Sequence, residues 1–289
     1  MRRFEEAGIA PDIRRGQNFL IDLNLLDLII KAADLGPGDV VLEVGTGMGS
    51  LTARMAEVAD EVVTVEVSAP VYQLASEELI DYPNVTMLFQ DALKNKNQFA
   101  EEVLEQVRAK VAAVPGRKFK LCANLPYNIA TPILSNLLTV EPLPYSMTAT
   151  IQLELAERIV APPSSKDYSA LSVWMQAVSD VAIVRTMPPS VFWPRPRVVS
   201  AIVHIEPNAA KRARIADPTY FHNFVRGLFL HRRKFLRGVL VAQFKEKFDK
   251  PAIDAVLAEF GFESNVRAEE LPVETLIRLA DAFRRKEAA

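Results

Sequence analysis

The stretch from Val40 to Leu51 constrains the fold most. Val40-Val41-Leu42-Glu43-Val44 runs directly into Gly45-Thr46-Gly47-Met48-Gly49, and then into a helical apolar pattern at Leu51, Met55 and Val58. An almost uninterrupted apolar run of this length predicts a strand buried on both faces, as in a parallel sheet. Glycines between such a strand and a helix let the backbone approach a ligand closely. The spacing is not the Gly-x-Gly-x-x-Gly of a dinucleotide site, because Ser50 occupies the last position. With Glu43 two residues ahead of the first glycine, the loop suits a nucleoside carrying a charged amino-acid tail better than a pyrophosphate.

The following strands extend the pattern. Glu61 to Glu66 predicts a second strand ending in a carboxylate about twenty residues past the glycine loop, where an acid can accept from both hydroxyls of a ribose. A helix is expected over Val71 to Ile80. Val85 to Phe89 predicts a third strand, with Gln90-Asp91-Ala92 at its end and Asp91 placed to accept from an exocyclic amine. Asn97 to Ala113 reads as a charged crossover helix. Phe119 to Ala123 predicts a fourth strand, followed by Asn124-Leu125-Pro126-Tyr127 and a helix from about Thr131. An amide, a proline and an aromatic thus gather just past a strand's carboxyl end, where open α/β sheets place their ligand crevice. Ahead of all this, Arg14 to Leu20 precedes an amphipathic helix that Asp22 or Asn24 can cap.

A strand from Met147 to Leu153 and a helix from Glu154 come next. Val181 to Thr186 and Val198 to Ile205 read as a closing antiparallel pair. Between them lies Pro188-Pro189-Ser190-Val191-Phe192-Trp193-Pro194-Arg195-Pro196-Arg197, a stiff, basic, aromatic connector able to present a ring to a nucleobase. Pro207 to Lys211 marks the domain boundary, giving residues 1–206 and 207–289. The second part reads as four helices, Pro218–Leu230, Arg232–Phe244, Pro251–Phe260 and Pro272–Phe283, with the cations of the 231–237 segment on two helical turns.

The net charge of −2 alone speaks against a polyanion binder, but the average conceals an asymmetry. Arg185 to Leu240 holds eleven Lys or Arg against Glu206 and Asp217, on an otherwise acidic chain. Within it, Arg195, Arg197, Arg232, Arg233 and Lys234 are the expected RNA contacts. The single cysteine, Cys122, excludes an internal disulfide framework and suits a reducing compartment. Three scattered histidines give no metal-ligand spacing, and none is expected. No apolar run reaches the length of a membrane span, and the N-terminus lacks a secretory pattern, so a cytoplasmic protein is expected.

Together, Gly-Gln-Asn-Phe-Leu (16–20), Glu-Val-Gly-Thr-Gly-Met-Gly-Ser-Leu-Thr (43–52), Val-Glu-Val (65–67), Gln-Asp-Ala (90–92), Asn-Leu-Pro-Tyr-Asn (124–128) and Phe-Trp-Pro-Arg-Pro-Arg-Val-Val-Ser (192–200) form an ordered series. In that order the chain resembles the KsgA-type ribosomal RNA adenine dimethyltransferases, from about residue 14 to residue 282. The resemblance implies an α/β, Rossmann-like class I methyltransferase sheet with a small all-α C-terminal domain, and S-adenosyl-L-methionine as cofactor. It implies transfer of two methyl groups to each of two adjacent adenines in a hairpin loop near the small-subunit rRNA 3′ end. The partner would be an immature ribosomal subunit and the protein a monomer. Carried over by motif, Gln17, Asn18, Leu20, Gly45, Gly47, Glu66, Asp91, Ala92 and Asn124 hold the cofactor. Asn124, Leu125, Pro126 and Tyr127 receive the target base, and Phe192 packs on it. Two positions depart from the family pattern. Ser68 stands where a second acid usually follows Glu66, and Thr46 where proline is common.

The chemistry of these groups fits that implication. The exocyclic nitrogen of adenine is a poor nucleophile until its lone pair is localised and aimed. The Asn124 side-chain oxygen and the Leu125 carbonyl can accept both amine hydrogens, Pro126 stiffens the carbonyl, and Tyr127 can stack on the base. Two rivals share most of these features: a large-subunit rRNA adenine methyltransferase of the antibiotic-resistance type, and a ribosome-assembly factor that keeps the fold without the chemistry.

Overall fold

The computed structural model describes residues 16–288. Arg14 and Arg15, which head the first motif, lie outside the described residues. By internal contacts the chain divides into two units, one holding residues up to Ala156 with Ala182–Pro207, the other holding Glu157–Val181 with Asn208–Ala289. The sequence boundary at 206/207 thus falls beside one of three crossings. The contacts also group 157–181 with the C-terminal helices.

The first unit is built on a seven-stranded sheet of order β4-β3-β2-β7-β8-β11-β9. Its strands are β2 (Asp39–Val44), β3 (Glu61–Glu66), β4 (Val85–Phe89), β7 (Lys118–Asn124), β8 (Ser146–Gln152), β9 (Ser179–Met187) and β11 (Ser200–Pro207). The strands β4, β3, β2, β7 and β8 pair in parallel, while β11 runs antiparallel to β8. All six residues of β2 are buried, as its continuous apolar run requires. The chain builds outward from β2 through β3 to β4, then returns to lay β7 on the other side of β2. That reversal is the topological switch point, where adjacent loops diverge and leave a crevice.

Helices α1 (Leu23–Ala32), α2 (Ser50–Ala56), α3 (Ala69–Glu78), α4 (Glu101–Ala113) and α5 (Ala130–Leu137) connect these strands. Of the two candidate caps for α1, Asp22 serves, its side chain accepting from the Asn24 and Leu25 amides. One expectation is corrected. The stretch from Asn97 is not yet helical, because Leu93–Asn95 (β5) and Gln98–Phe99 (β6) form a hairpin and α4 starts at Glu101. The Asn95 side chain folds back onto the Asn97 amide at 2.9 Å, a local bond that competes with helix formation. A second small ribbon pairs β1 (Phe19–Leu20) antiparallel with β10 (Phe192–Trp193).

The second unit contains α7 (Ala170–Val178), α8 (Ala209–Arg212), α9 (Pro218–Phe229), α10 (Leu236–Gln243), α11 (Lys250–Ala258) and α12 (Val273–Ala288), with shorter turns; α6 (Leu153–Val160) begins in the first unit. Its core is aromatic: Phe224, Phe244 and Phe283 pack together, the last two stacked at 4.7 Å. Asp217 and Asp249 cap α9 and α11, each followed by a proline in the first turn. The expected helix from Arg232 is corrected here as well. His231 to Lys234 form a turn, and α10 begins only at Leu236. Arg232 is drawn away from a helical path, its guanidinium donating to the carbonyls of Lys166 (2.7 Å) and Tyr168 (2.9 Å) and lying 3.5 Å from Glu269.

Candidate active site

The crevice at the switch point is a cavity of about 770 Å³. The loops after β2, β3, β4 and β7 form its walls, and the β1–β10 ribbon closes part of its mouth. Every residue expected to hold the cofactor lines it: Gln17, Asn18, Leu20, Gly45, Gly47, Glu66, Asp91, Ala92 and Asn124. Leu125 and Pro126 line it too.

The glycine loop is pinned to β3 by several bonds. The Gly45 and Thr46 amides donate to the Val65 carbonyl, and the Gly47 amide donates to Glu66 Oε2 at 3.3 Å. Gly45 and Gly47 have φ of +87° and +57°, and a Cβ at Gly47 would stand 3.1 Å from the Phe19 ring. The departure at Thr46 becomes intelligible, since its hydroxyl reaches Thr64 Oγ1 at 2.7 Å and so ties the loop down by a bond that proline could not make. The departure at Ser68 also has a counterpart. Its amide donates to Glu66 Oε1 at 2.9 Å, beside that of Val67 at 3.0 Å. Glu66 is thereby oriented by three backbone amides.

Glu43 lies beneath the glycine loop, fully buried, with Thr52 and Thr64 hydroxyls donating to Oε2 at 2.5 and 2.6 Å. Burial pushes its carboxyl up to about 8, against the lowering effect of the two hydroxyls. The acid therefore favours its neutral form at pH 7. Cys122 is buried beside it, and burial raises the thiol further from its reactive form, so the core reading of this cysteine holds.

The acceptor loop follows β7. Asn124 Nδ2 donates to the Asn18 carbonyl at 2.8 Å. That bond fixes the amide's orientation and leaves Oδ1 as the end available to an incoming donor. Among the described residues no group donates to Oδ1 or to the Leu125 carbonyl. The Leu125 amide donates to Thr150 O of β8, so the carbonyl is carried on a fixed peptide.

Two aromatics expected at the target base do not line the cavity. Phe192 is 2% exposed, packs in the apolar cluster with Leu26, Ile29 and Ile202, and does not itself line the cavity. Neighbours on a strand point to opposite faces, so of β10 only Trp193 meets the cavity, where it stacks on Phe19 at 6.2 Å. Tyr127 is absent from the lining as well. Its ring is half-buried and its hydroxyl bonds Ser200 Oγ at 2.6 Å, as a buried phenol requires. Phe19, Trp193 and Gln90 are cavity residues that the sequence reading did not single out. The β1–β10 pairing that brings in the first two joins segments over 170 residues apart and leaves no local signal. Arg195 and Arg197 are exposed in the connector between β10 and β11. Among the described residues no group of three or more His, Cys, Asp or Glu could hold a metal ion.

The cavity has room and chemistry for an adenosyl cofactor. Its volume lies within the range of small-molecule sites, Glu66 and Asp91 present carboxylates at successive strand ends, and the buried Gln90 Nε2 has no partner among the described residues. A glycine loop at a switch point, an acid closing the next strand and an amide after the fourth define a class I methyltransferase. Residues 12–284 match the family model of the ribosomal RNA adenine dimethylases. Among curated relatives, ribosomal RNA small subunit methyltransferase A of Alkaliphilus oremlandii is 37% identical over 94% of this chain and 91% of its own, and that of Shouchella clausii is 37% identical over 93% and 88%. The solved dimethyladenosine transferase from Plasmodium falciparum shares the fold with a TM-score of 0.76 at 24% identity, covering 93% of this chain and 98% of that one. The 23S rRNA methyltransferase ErmE shares it with a TM-score of 0.64 at 23% identity, covering 92% and 99%. The chain belongs to the ribosomal RNA adenine dimethylase family and is an S-adenosylmethionine-dependent rRNA adenine dimethyltransferase.

Proposed function

We propose that this protein dimethylates two adjacent adenines in the hairpin loop near the 3′ end of small-subunit rRNA. It acts as a cytoplasmic monomer on an immature ribosomal subunit. The observation that carries the reading is the bond from Asn124 Nδ2 to Asn18 O, which turns the amide oxygen into a fixed acceptor. Curated relatives at 37% identity carry the small-subunit name, whereas the large-subunit ErmE is matched at the level of fold.

The residues divide the work. Glu66 holds the ribose, Asp91 and Gln90 address the adenine, and Gly45 and Gly47 admit the amino-acid tail. Bound there, S-adenosylmethionine supplies a methyl group already activated on a sulfonium sulfur. Asn124 Oδ1 and the Leu125 carbonyl accept the two hydrogens of the target amine. That draws the nitrogen toward tetrahedral geometry and stabilises the positive charge that develops on it. Pro126 packs against Gly45, its ring 3.3 Å from where a Cβ would stand, and so couples the acceptor loop to the cofactor loop. A loop adenine suits the site because it costs little to unstack. Mass analysis of small-subunit rRNA treated with the purified protein should show two adjacent dimethyladenosines. Modification confined to large-subunit RNA, or none under saturating cofactor, would overturn the reading.

A further inference from the structure

The ion pairs of the first unit are unevenly distributed. At the amino ends of its parallel strands three cations are matched by carboxylates, Lys110 with Glu61 at 2.6 Å, Arg117 with Asp60 at 3.2 Å, and Lys120 with Asp39 at 2.9 Å, while Lys118 lies over the Tyr145 ring at 4.3 Å. At the carboxyl ends, around the cavity, the cations are not so matched. The β5–β6 hairpin begins immediately after Asp91 and Ala92, and its residues 94–98 are all exposed. It carries Lys94 and Lys96, neither with a carboxylate partner among the described residues. Arg195 and Arg197, in the connector before β11, are equally unmatched.

The hairpin is built rather than loose. Leu93 pairs with Phe99, and Phe99 is buried beneath it. Asn95 Oδ1 takes the Asn97 amide and Asn95 Nδ2 reaches Gln98 Oε1, both at 2.9 Å. Asn136 of α5, the helix that follows the acceptor loop, donates to the Lys96 carbonyl at 3.4 Å. Two lysines are thus held on a fixed backbone, tied to the helix that follows the acceptor loop. The sheet order places this hairpin after edge strand β4, while Arg195 and Arg197 precede β11 toward the other edge.

Taking a base out of its stack is opposed by the flanking backbone, so phosphates beside the flipped nucleotide need anchoring. We propose that the β5–β6 hairpin is a second RNA-backbone contact, in which Lys94 and Lys96 hold phosphates on the opposite side of the cavity from Arg195 and Arg197. This rests on the reading of the site as an RNA adenine methyltransferase centre.

The test compares Lys94→Glu/Lys96→Glu with a control of equal charge change, Lys31→Glu/Lys118→Glu. Lys31 and Lys118 are exposed, on α1 and at the amino end of β7. Binding to small ribosomal subunits lacking the two dimethyladenosines is measured across a salt series. Cofactor affinity and thermal midpoint are followed in parallel. The hairpin variant should bind roughly tenfold more weakly at low salt, with the log–log salt slope smaller by about 1.4, as expected for two single-strand phosphate contacts. Its cofactor affinity and midpoint should be unchanged, and the control should match the wild type. A hairpin variant with wild-type affinity and slope, or one no weaker than the control, overturns the proposal. A wild-type protein that methylates no small-subunit adenine would instead overturn the functional reading, a result visible before any variant is made.

Discussion

At the scale of single residues, orientation decides what each group can do. Asn124 is useful as an acceptor because its NH2 end is already engaged by Asn18 O. Asn124→Ala removes that acceptor and should lower single-turnover methyl transfer by roughly 100-fold or more. Cofactor affinity, measured by calorimetry, should stay within a few-fold. Tyr127 has a structural part besides the one its motif suggests. Held by Ser200, the ring braces the acceptor loop against the start of β11, which pairs with β8 just as β7 does. Tyr127→Phe and Ser200→Ala should each reduce kcat about tenfold with the cofactor KM unchanged, and the double variant should be no worse than either. Multiplying effects would show that the two side chains act separately.

At the scale of elements, the regular pieces of the first unit were legible because their signals are local. The β2 apolar run, the glycines that follow it and the acids closing β3 and β4 can each be read within a few residues. The misread stretches have local causes too, but weaker ones. Asn95 diverts the chain into a hairpin before α4, and carbonyls of the 166–168 loop capture Arg232 before α10 can start. What no local pattern could supply was the β1–β10 ribbon, since its pairing depends on the sheet having brought distant segments together. It explains why Phe192 turned inward and Trp193 took the cavity. The glycine loop lies directly beneath that ribbon. Gly47→Ala would force a Cβ against the Phe19 ring at positive φ, and is expected to weaken cofactor binding roughly tenfold with little loss of activity at saturating cofactor. Equal affinity in a calorimetric titration would show that the loop has slack.

At the scale of the whole molecule, stability carries the imprint of Glu43. Its carboxyl is raised from 4.5 to about 8 by burial, so the folded protein holds a proton that the unfolded chain releases near pH 4.5. The resulting stabilisation is complete below that value and is lost as pH rises through about 8. Glu43→Gln keeps an oxygen for Thr52 and Thr64 but does not titrate. Between pH 6 and pH 9 the wild-type thermal midpoint should therefore fall by roughly 5 °C relative to the variant. Parallel curves would mean that Glu43 is ionised throughout. Among the described residues no helix is long and apolar enough to cross a membrane.

The clip from Asn124 to Asn18 also bears on how the protein is made. A ribosome delivers Asn18 more than a hundred residues before its partner, and Trp193 well after both. The sheet strands β2, β3 and β4 can pair while the acceptor amide is still unset, and the ribbon over the cavity has to wait until β10 has been synthesised. A nascent chain halted between Ser68 and Trp193 would carry a complete glycine loop and a complete Glu66, yet no finished methyl-transfer site. The first described segment of the chain, from Gly16 to Leu20, is among the last to acquire its working neighbours.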